Sequence, residues 1–408
     1  MFNSFTPDIM KRINNMEKSR TARKQSGQDL AYRRIVVKLG THLVAGSDKV
    51  LNLDVISGLT DQIASLHSRG AQVIIVSSGA ITSGRQKLGL SRKIRGIPYK
   101  QVLAAVGQSR LMNTYEHLFE RHNITVAQAL LTKQDLSDRA GYLNARNTLL
   151  AIMDLKVICI VNENDVVSID EIKEAKFGDN DNLSAMVANL VDADLLLMLT
   201  DIDGLYDADP AKNPEAKLVP VVAKVDTSIK KMGAATRSNV GTGGMITKLE
   251  AAKLATSSGI NVIIANGFER DVITRVASGE SLGTRFLPVR QDLESRERWM
   301  VSGLCTRGSI TVDDGATRAL KKENRSLLAA GVVATEGKYS RGDIVAILDP
   351  EGNQMGCGIV NYNCTDINTI KGLHSTKIAG LLTYDYGPEV VHRNNLALIE
   401  REESSGHR

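Results

Sequence analysis

Cysteine is scarce: Cys159, Cys305, Cys357 and Cys364 are the only four in 408 residues. No two of them form a CxxC pair, so neither a disulfide scaffold nor a zinc finger is expected. Cys159 lies inside the apolar run 157–161, where a buried thiol in a reducing cytoplasm is the plain reading. Long apolar runs are missing as well. None approaches the roughly 18 residues that a membrane span requires. The third absence is a charge of one sign over the body of the chain. The net charge is +5, but residues 1–34 hold eight Lys and Arg against three Asp and Glu, and the remainder carries 43 of each. A basic field across the folded domains, the usual footprint of a nucleic-acid binder, is therefore not expected.

The first residues also lack the apolar stretch of a secretory signal, and their acidic residues count against a transit peptide. Thr6 and Pro7 offer a helix start, with Ile9, Met10, Ile13 and Met16 on one face. Residues 1–33 are read as a mobile extension. What remains is ordinary globular material, 42% hydrophobic and 24% charged, long enough for two or three domains of roughly 150 residues.

From Arg34 the pattern repeats as strand, loop and helix. Apolar runs at 35–39, 73–76, 124–131, 157–161, 195–199 and 262–265 are short and barely alternate, as strands covered on both faces do. Between them, Val55, Leu59, Ile63 and Leu66, and later Leu111, Tyr115 and Leu118, recur at helical spacing. This predicts an α/β fold with a mainly parallel sheet sandwiched by helices. Ligands in such folds bind beyond the carboxyl ends of the strands, so the residues after each run matter most. After about Pro288 the texture changes to short strands at 310–312, 344–348 and 358–360, with one helix expected around 316–328. The charged stretch 290–298 reads as a connecting helix or linker. A second, β-rich domain follows, and the first is expected to be complete before it.

Five features carry candidate chemistry. Lys38-Leu39-Gly40-Thr41 places an ammonium at a strand end beside a glycine that permits close approach. Ser77-Ser78-Gly79-Ala80 turns from a strand into a helix, presenting N–H groups and hydroxyls to an anion. Asn162-Glu163-Asn164-Asp165 follows a strand, and Gly178-Asp179-Asn180-Asp181-Asn182 is read as lying before a helix. Thr200-Asp201 ends another strand, with Asp203 to Tyr206 beyond it. Last, Thr242-Gly243-Gly244-Met245-Ile246-Thr247-Lys248 is a glycine loop entering a helix. It is not a Walker loop, because Thr247 precedes the lysine. Singly, each has an ordinary reading as a cap, a turn or a solvated end.

Taken in order they are specific. The segments VVKLGT at 36–41, VSSGAI at 76–81, LAAVGQSRL at 103–111, NARNTL at 144–149, NENDVV at 162–167, GDNDNLSA at 178–185, the stretch Met198 to Tyr206 and GTGGMITK at 241–248 resemble the amino acid kinase family, in its glutamate-phosphorylating branch, over roughly residues 34–290. ITVDDGA at 310–316, SRGDIVAI at 340–347 and YDYGPEVVHR at 384–393 resemble the PUA domain that many bacterial members append.

The resemblance implies a kinase domain at 34–290, a linker at 291–306, a PUA domain at 307–392 and a tail at 393–408. It implies transfer of the ATP γ-phosphoryl group to the γ-carboxylate of L-glutamate, in the cytoplasm, as the first step of proline biosynthesis. Lys38 and Lys248 would contact the moving phosphoryl group, and Asp181 would orient both ammonium groups. Ser78, Asp165 and Asn180 would bind glutamate. Lys38, Gly40, Thr200, Asp201 and the loop Thr242, Gly243, Gly244, Met245, Ile246, Thr247 and Lys248 would line the ATP site. Mg²⁺ would ride on ATP with no protein metal site, proline would inhibit, and the chain would form a homo-oligomer, a dimer or tetramer. N-acetylglutamate kinases, aspartokinases and uridylate kinases share the sheet and a lysine near the first strand, and remain alternatives. So does an RNA-binding PUA protein, although residues 306–400 hold ten basic and eleven acidic side chains, which disfavours it.

Overall fold

The computed structural model describes residues 30–45, 50–90, 96–137, 139–168, 179–210, 212–235, 244–288, 307–323, 325–382, 384 and 386–398. The helix expected from Ile9 to Met16, the stretch 290–298, Cys305, Thr242 and Gly243 lie outside them.

Among the described residues the first body is built on eight strands: β1 (Arg34–Leu39), β2 (Gln72–Ser77), β3 (Val126–Leu131), β4 (Ile158–Glu163), β5 (Leu195–Thr200), β6 (Val221–Val222), β7 (Asn261–Asn266) and β8 (Thr284–Phe286). They run β3-β4-β2-β1-β5-β7-β8-β6 across the sheet, and every pairing is parallel except β7 with β8. The six apolar runs are thus six strands, although the third starts at Val126, two residues later than its run. The connecting helices include α1 (Leu53–Ser68), α2 (Ala80–Lys87), α3 (Ile97–Glu120), α4 (Arg139–Asp154), α5 (Asp179–Leu190), α6 (Met245–Ser257) and α7 (Val272–Ala277).

Strand alternation decides which side chains meet. Ile35, Val37 and Leu39 of β1 face a core shared with α1, α3 and α7, whereas Val36 faces a second core filled by α4, α5 and α6. Each such fully buried side chain stabilises the fold by about 1.5–3 kcal/mol. Lys38 has the parity of Val36, so its side chain is directed to the face that α5 and α6 cover. Those are the helices that carry Asp181 and Lys248.

The crossing of α2 and α3 is set by two glycines. A Cβ at Gly84 would stand 1.9 Å from the Leu103 carbonyl oxygen, and one at Gly107 would stand 1.8 Å from that of Ala80. Only backbone fits there, which explains the glycine in the 103–111 segment. Gly79 adopts φ +111 at the start of α2, a left-handed conformation that glycine takes without strain.

The second body has its own core around Ile310, Val312, Val345, Ile347, Tyr362 and Val391. A five-stranded sheet of β9 (Gly308–Val312), β11 (Val332–Gly337), β12 (Ile344–Leu348), β13 (Gln354–Ile359) and β15 (Leu396–Leu398) is accompanied by the pair β10 (Leu327–Leu328) and β14 (Glu389–Val391). Three sequence readings change here and at the N-terminus. The helix expected at 316–328 spans Asp314–Glu323 and starts where Asp313 accepts from the Ala316 N–H at 2.6 Å. Leu327, buried, and Leu328, exposed, alternate as a strand instead. Residues 396–398, read as tail, pair with β13. Tyr32, read as part of the extension, is buried in the first core, while the Ala31 N–H donates to Ala277.

Candidate active site

Three parallel strands end side by side at Leu39, Ser77 and Thr200, with Lys38 the last residue but one of the first, and the site grows from those ends. The Lys38 ammonium lies 2.7 Å from Asp181 Oδ1, and the Lys248 ammonium lies 3.4 Å from Oδ2. Thr247 donates to the same Oδ2 at 2.7 Å, and its hydroxyl also lies 2.8 Å from the Gly244 carbonyl. All three charged side chains are at most 6% exposed. Burial alone would raise the Asp181 carboxyl, but the two ammonium groups and the bonds from Lys38 and Thr247 bring it down to about 2. It therefore stays ionised and holds both lysines in one place. Residues far apart in the chain reach this point because Asp181 stands in the first turn of α5 and Lys248 in the first turn of α6. The acidic and amide cluster thus lies within a helix from Asp179 onward, not before one.

One residue away, Asn180 is buried and its amide nitrogen lies 3.1 Å from Ser78 Oγ, 3.1 Å from Asn162 Oδ1 and 3.4 Å from the Ser77 carbonyl. Asn162, at the end of β4, donates in turn to Gln108 Oε1 at 2.8 Å, while its own oxygen also accepts from the Glu163 N–H. Asp165 follows in the turn after β4 and is buried. Ser78, Asn162 and Asn180 thus form one hydrogen-bonded polar cluster a single residue from Asp181. Behind it the Ser77 and Tyr115 hydroxyls lie 2.7 Å apart, and burial pushes the phenol up to about 12 despite that bond.

On the other side of Lys38 the buried backbone of Gly40 packs against β5. The Gly40 N–H donates to the Leu199 carbonyl at 3.0 Å, and a Cβ at Gly40 would meet that oxygen at 3.0 Å, with Lys38 Nζ at 3.9 Å. Thr200 is buried and donates to Asp201, which is exposed. Gly244 is the exposed cap of α6, Ile246 is exposed, and Met245 is buried in the second core.

A comparison with family models matches residues 33–266 to the Amino acid kinase family. The chain belongs to the amino acid kinase family. A PUA domain model matches residues 308–382. Among curated proteins, the chain is 58% identical to "Glutamate 5-kinase" of Dehalococcoides mccartyi over 90% of this chain and 99% of that protein. It is 48% identical to "Glutamate 5-kinase" of Herpetosiphon aurantiacus over 90% and 98%, and 44% identical to that of Caldanaerobacter subterraneus over 91% and 100%. Among solved structures, a UMP kinase from Bacillus anthracis overlaps at 17% identity and a TM-score of 0.42, covering 63% of this chain and 97% of that one.

Within this amino acid kinase, Lys38, Asp181, Lys248 and Thr247 form one contact cluster, and Ser78 and Asn180 a second beside it. Asp201 is exposed, and the Asp203 to Tyr206 turn makes its own contacts. Asp203 accepts from Tyr206 and Asn266, and Gly204 packs where a Cβ would lie 2.5 Å from Thr284 Oγ1. Residue reading did not assign roles to Gln108, Tyr115 or Arg146. Gln108 and Tyr115 lie within α3 and Arg146 within α4, and only the segments around Gln108 and Arg146 marked them out. Cys159, as read from its apolar run, is buried, with its thiol pushed up to about 12 by burial.

Proposed function

We propose that the chain transfers the γ-phosphoryl group of ATP to the γ-carboxylate of L-glutamate, giving L-glutamyl 5-phosphate, the first step of proline biosynthesis. The carrying observation is the buried pair of lysines on Asp181, adjoining the hydrogen-bonded amides of Asn180 and Asn162. The three curated relatives reported above bear the same printed name, and that supports glutamate over the N-acetylglutamate, aspartate and uridylate readings.

The chemistry needs charge and position rather than a base. A carboxyl of pKa ~4.3 is already ionised at neutral pH, so nothing must remove a proton. The obstacle is bringing an anion against the phosphate chain, where each pair of like charges near ~4 Å costs about 4 kcal/mol at an effective dielectric of ~20. Lys38 and Lys248 offset that repulsion and follow the charge as it spreads over the equatorial oxygens. Asp181 keeps both ammonium groups on station. Ser78, Asp165 and Asn180 hold glutamate, with Asp165 taking its α-ammonium. Gly40, Thr200, Asp201, Thr242, Gly243, Gly244, Met245, Ile246 and Thr247 line the nucleotide.

A divalent metal, Mg²⁺, neutralises ATP and travels on its phosphates and water. Asp181 is not its ligand, because Lys38, Lys248 and Thr247 already engage both carboxylate oxygens. Every residue with a role precedes Phe286, which supports a kinase domain over 34–290, with Tyr32 packed into its core, joined by 291–306 to a PUA domain over 307–392 whose sheet also takes in residues 396–398. Proline keeps the α-carboxylate and amine of glutamate and inhibits from an overlapping position near Asp165 and Asn180. The enzyme works in the cytoplasm as a homo-oligomer. No helix among the described residues is long and apolar enough to cross a membrane, and the balanced charge of the PUA domain disfavours RNA as its main ligand. ADP release measured with glutamate, N-acetylglutamate, aspartate and UMP offered separately tests the reading. Glutamate alone should support turnover, and a faster rate with any other acceptor would overturn it.

A further inference from the structure

The C-terminal domain touches the kinase body at a point that leads back to the reacting centre. Arg341, between β11 and β12, has its guanidinium 3.8 Å from the centre of the Tyr386 ring and donates to Asn144 Oδ1 on α4. One half-turn along that helix stands Arg146, the largest fully buried side chain among the described residues. Its guanidinium donates to the Leu190 carbonyl, at the last residue of α5, and to Asp192 at 2.6 Å. Arg34 donates to the next carbonyl, Val191, at 2.6 Å. Two arginines therefore grip the carboxyl end of the helix whose amino end carries Asn180 and Asp181, where cations also suit the helix dipole. His392, from the C-terminal domain, is lowered to about 4, first by burial and then by Arg146.

We propose that the C-terminal domain docks on α4 through Arg341, and that Arg146 passes this contact along α5 to Asn180 and Asp181. Docking then bears on glutamate and phosphoryl transfer, which depend on that helix, and spares nucleotide affinity, which rests on β5 and α6. The Tyr386 ring fixes the Arg341 guanidinium before contact, so little freedom is lost on docking. The kinetic half of the inference rests on the function proposed above, whereas the docking half does not.

The test uses the full chain and the variants Arg341→Ala, Asn144→Ala and their combination, first by amide hydrogen exchange. Each single variant should speed exchange at 139–154 and 187–194 by about fivefold, with no further gain in the double variant, because one shared contact is lost. Unchanged exchange, or single effects that simply add, would overturn the docking contact. In the same variants kcat/KM for glutamate should fall about fivefold or more, the range of ordinary coupling between sites, with KM for ATP within about twofold. Faster exchange with unchanged glutamate kinetics would overturn the route through Arg146.

Discussion

Replacing Asp181 by Asn changes almost no volume and removes one charge, at the place where the account asks most of a charge. At an effective dielectric of ~20, the 2.7 Å and 3.4 Å contacts to Lys38 and Lys248 correspond to Coulomb attractions of about 6 and about 5 kcal/mol. Desolvation cancels much of this. What a melt reads is the penalty of leaving a buried pair broken, about 3–5 kcal/mol. One ammonium is then expected to shed its proton, because two buried cations no longer share a counter-charge. Transition-state stabilisation by that lysine disappears, and kcat should fall by about 100-fold or more, a few kcal/mol. KM for ATP should change far less, since the nucleotide strip at Thr200 and Gly244 is untouched. The assay pairs kcat by coupled ADP release with a calorimetric melt, where a fall of roughly 10 °C is expected. Near wild-type kcat with a normal melt would refute the claim that Asp181 organises the lysines.

The remaining predictions are shorter. Lys38→Ala and Lys248→Ala should each lower kcat by about two orders of magnitude in steady-state assays, with the folded state retained by circular dichroism. Because the Asp181 carboxyl is depressed from 3.8 to about 2, it adds about 2 kcal/mol of stability that is full above its unfolded pKa and lost as pH falls through about 2; denaturant melts from pH 5 downward should show this limb, and Asp181→Asn should lack it. Gly107→Ala must displace backbone that a Cβ would approach to 1.8 Å, so its urea midpoint should drop by the equivalent of about 1–3 kcal/mol. N-acetylglutamate should be turned over far more slowly than glutamate, since each acceptor left unpaired around Asp165 and Asn180 costs about 1–3 kcal/mol; equal rates would discard that binding assignment.

The sheet was legible because its strands are covered on both faces and therefore read as short apolar blocks. Lys38 and Lys248 stood out against that background, since an ammonium at a strand end or at the close of a glycine loop is conspicuous. Their meeting at Asp181 was not visible in the residues alone, because it depends on which face of β1 is covered by α5 and α6. The resemblance supplied it, and strand parity explains it. The boundary errors have physical causes of the same kind. Asp179 to Asn182 look like a turn by composition, yet side chains that favour caps also suit the first turn of a helix once the tertiary fold engages them. Leu327 and Leu328 continue the apolar spacing of the preceding helix, and only their pairing with β14 makes them a strand. Arg146 was hidden for another reason. A fully buried arginine is recognised by the carbonyl it holds, and Leu190 lies 44 residues away.

The central claim is that an oxygen of the glutamate γ-carboxylate attacks the γ-phosphorus of ATP without a general base. It is tested most directly by following that oxygen. Glutamate labelled with ¹⁸O in both γ-carboxylate positions is turned over with ATP, and the product is trapped by hydroxylamine, which attacks the acyl carbon and releases phosphate. The account predicts one ¹⁸O in each phosphate released. Phosphate without label would mean that water or another group had attacked ATP, and would contradict it.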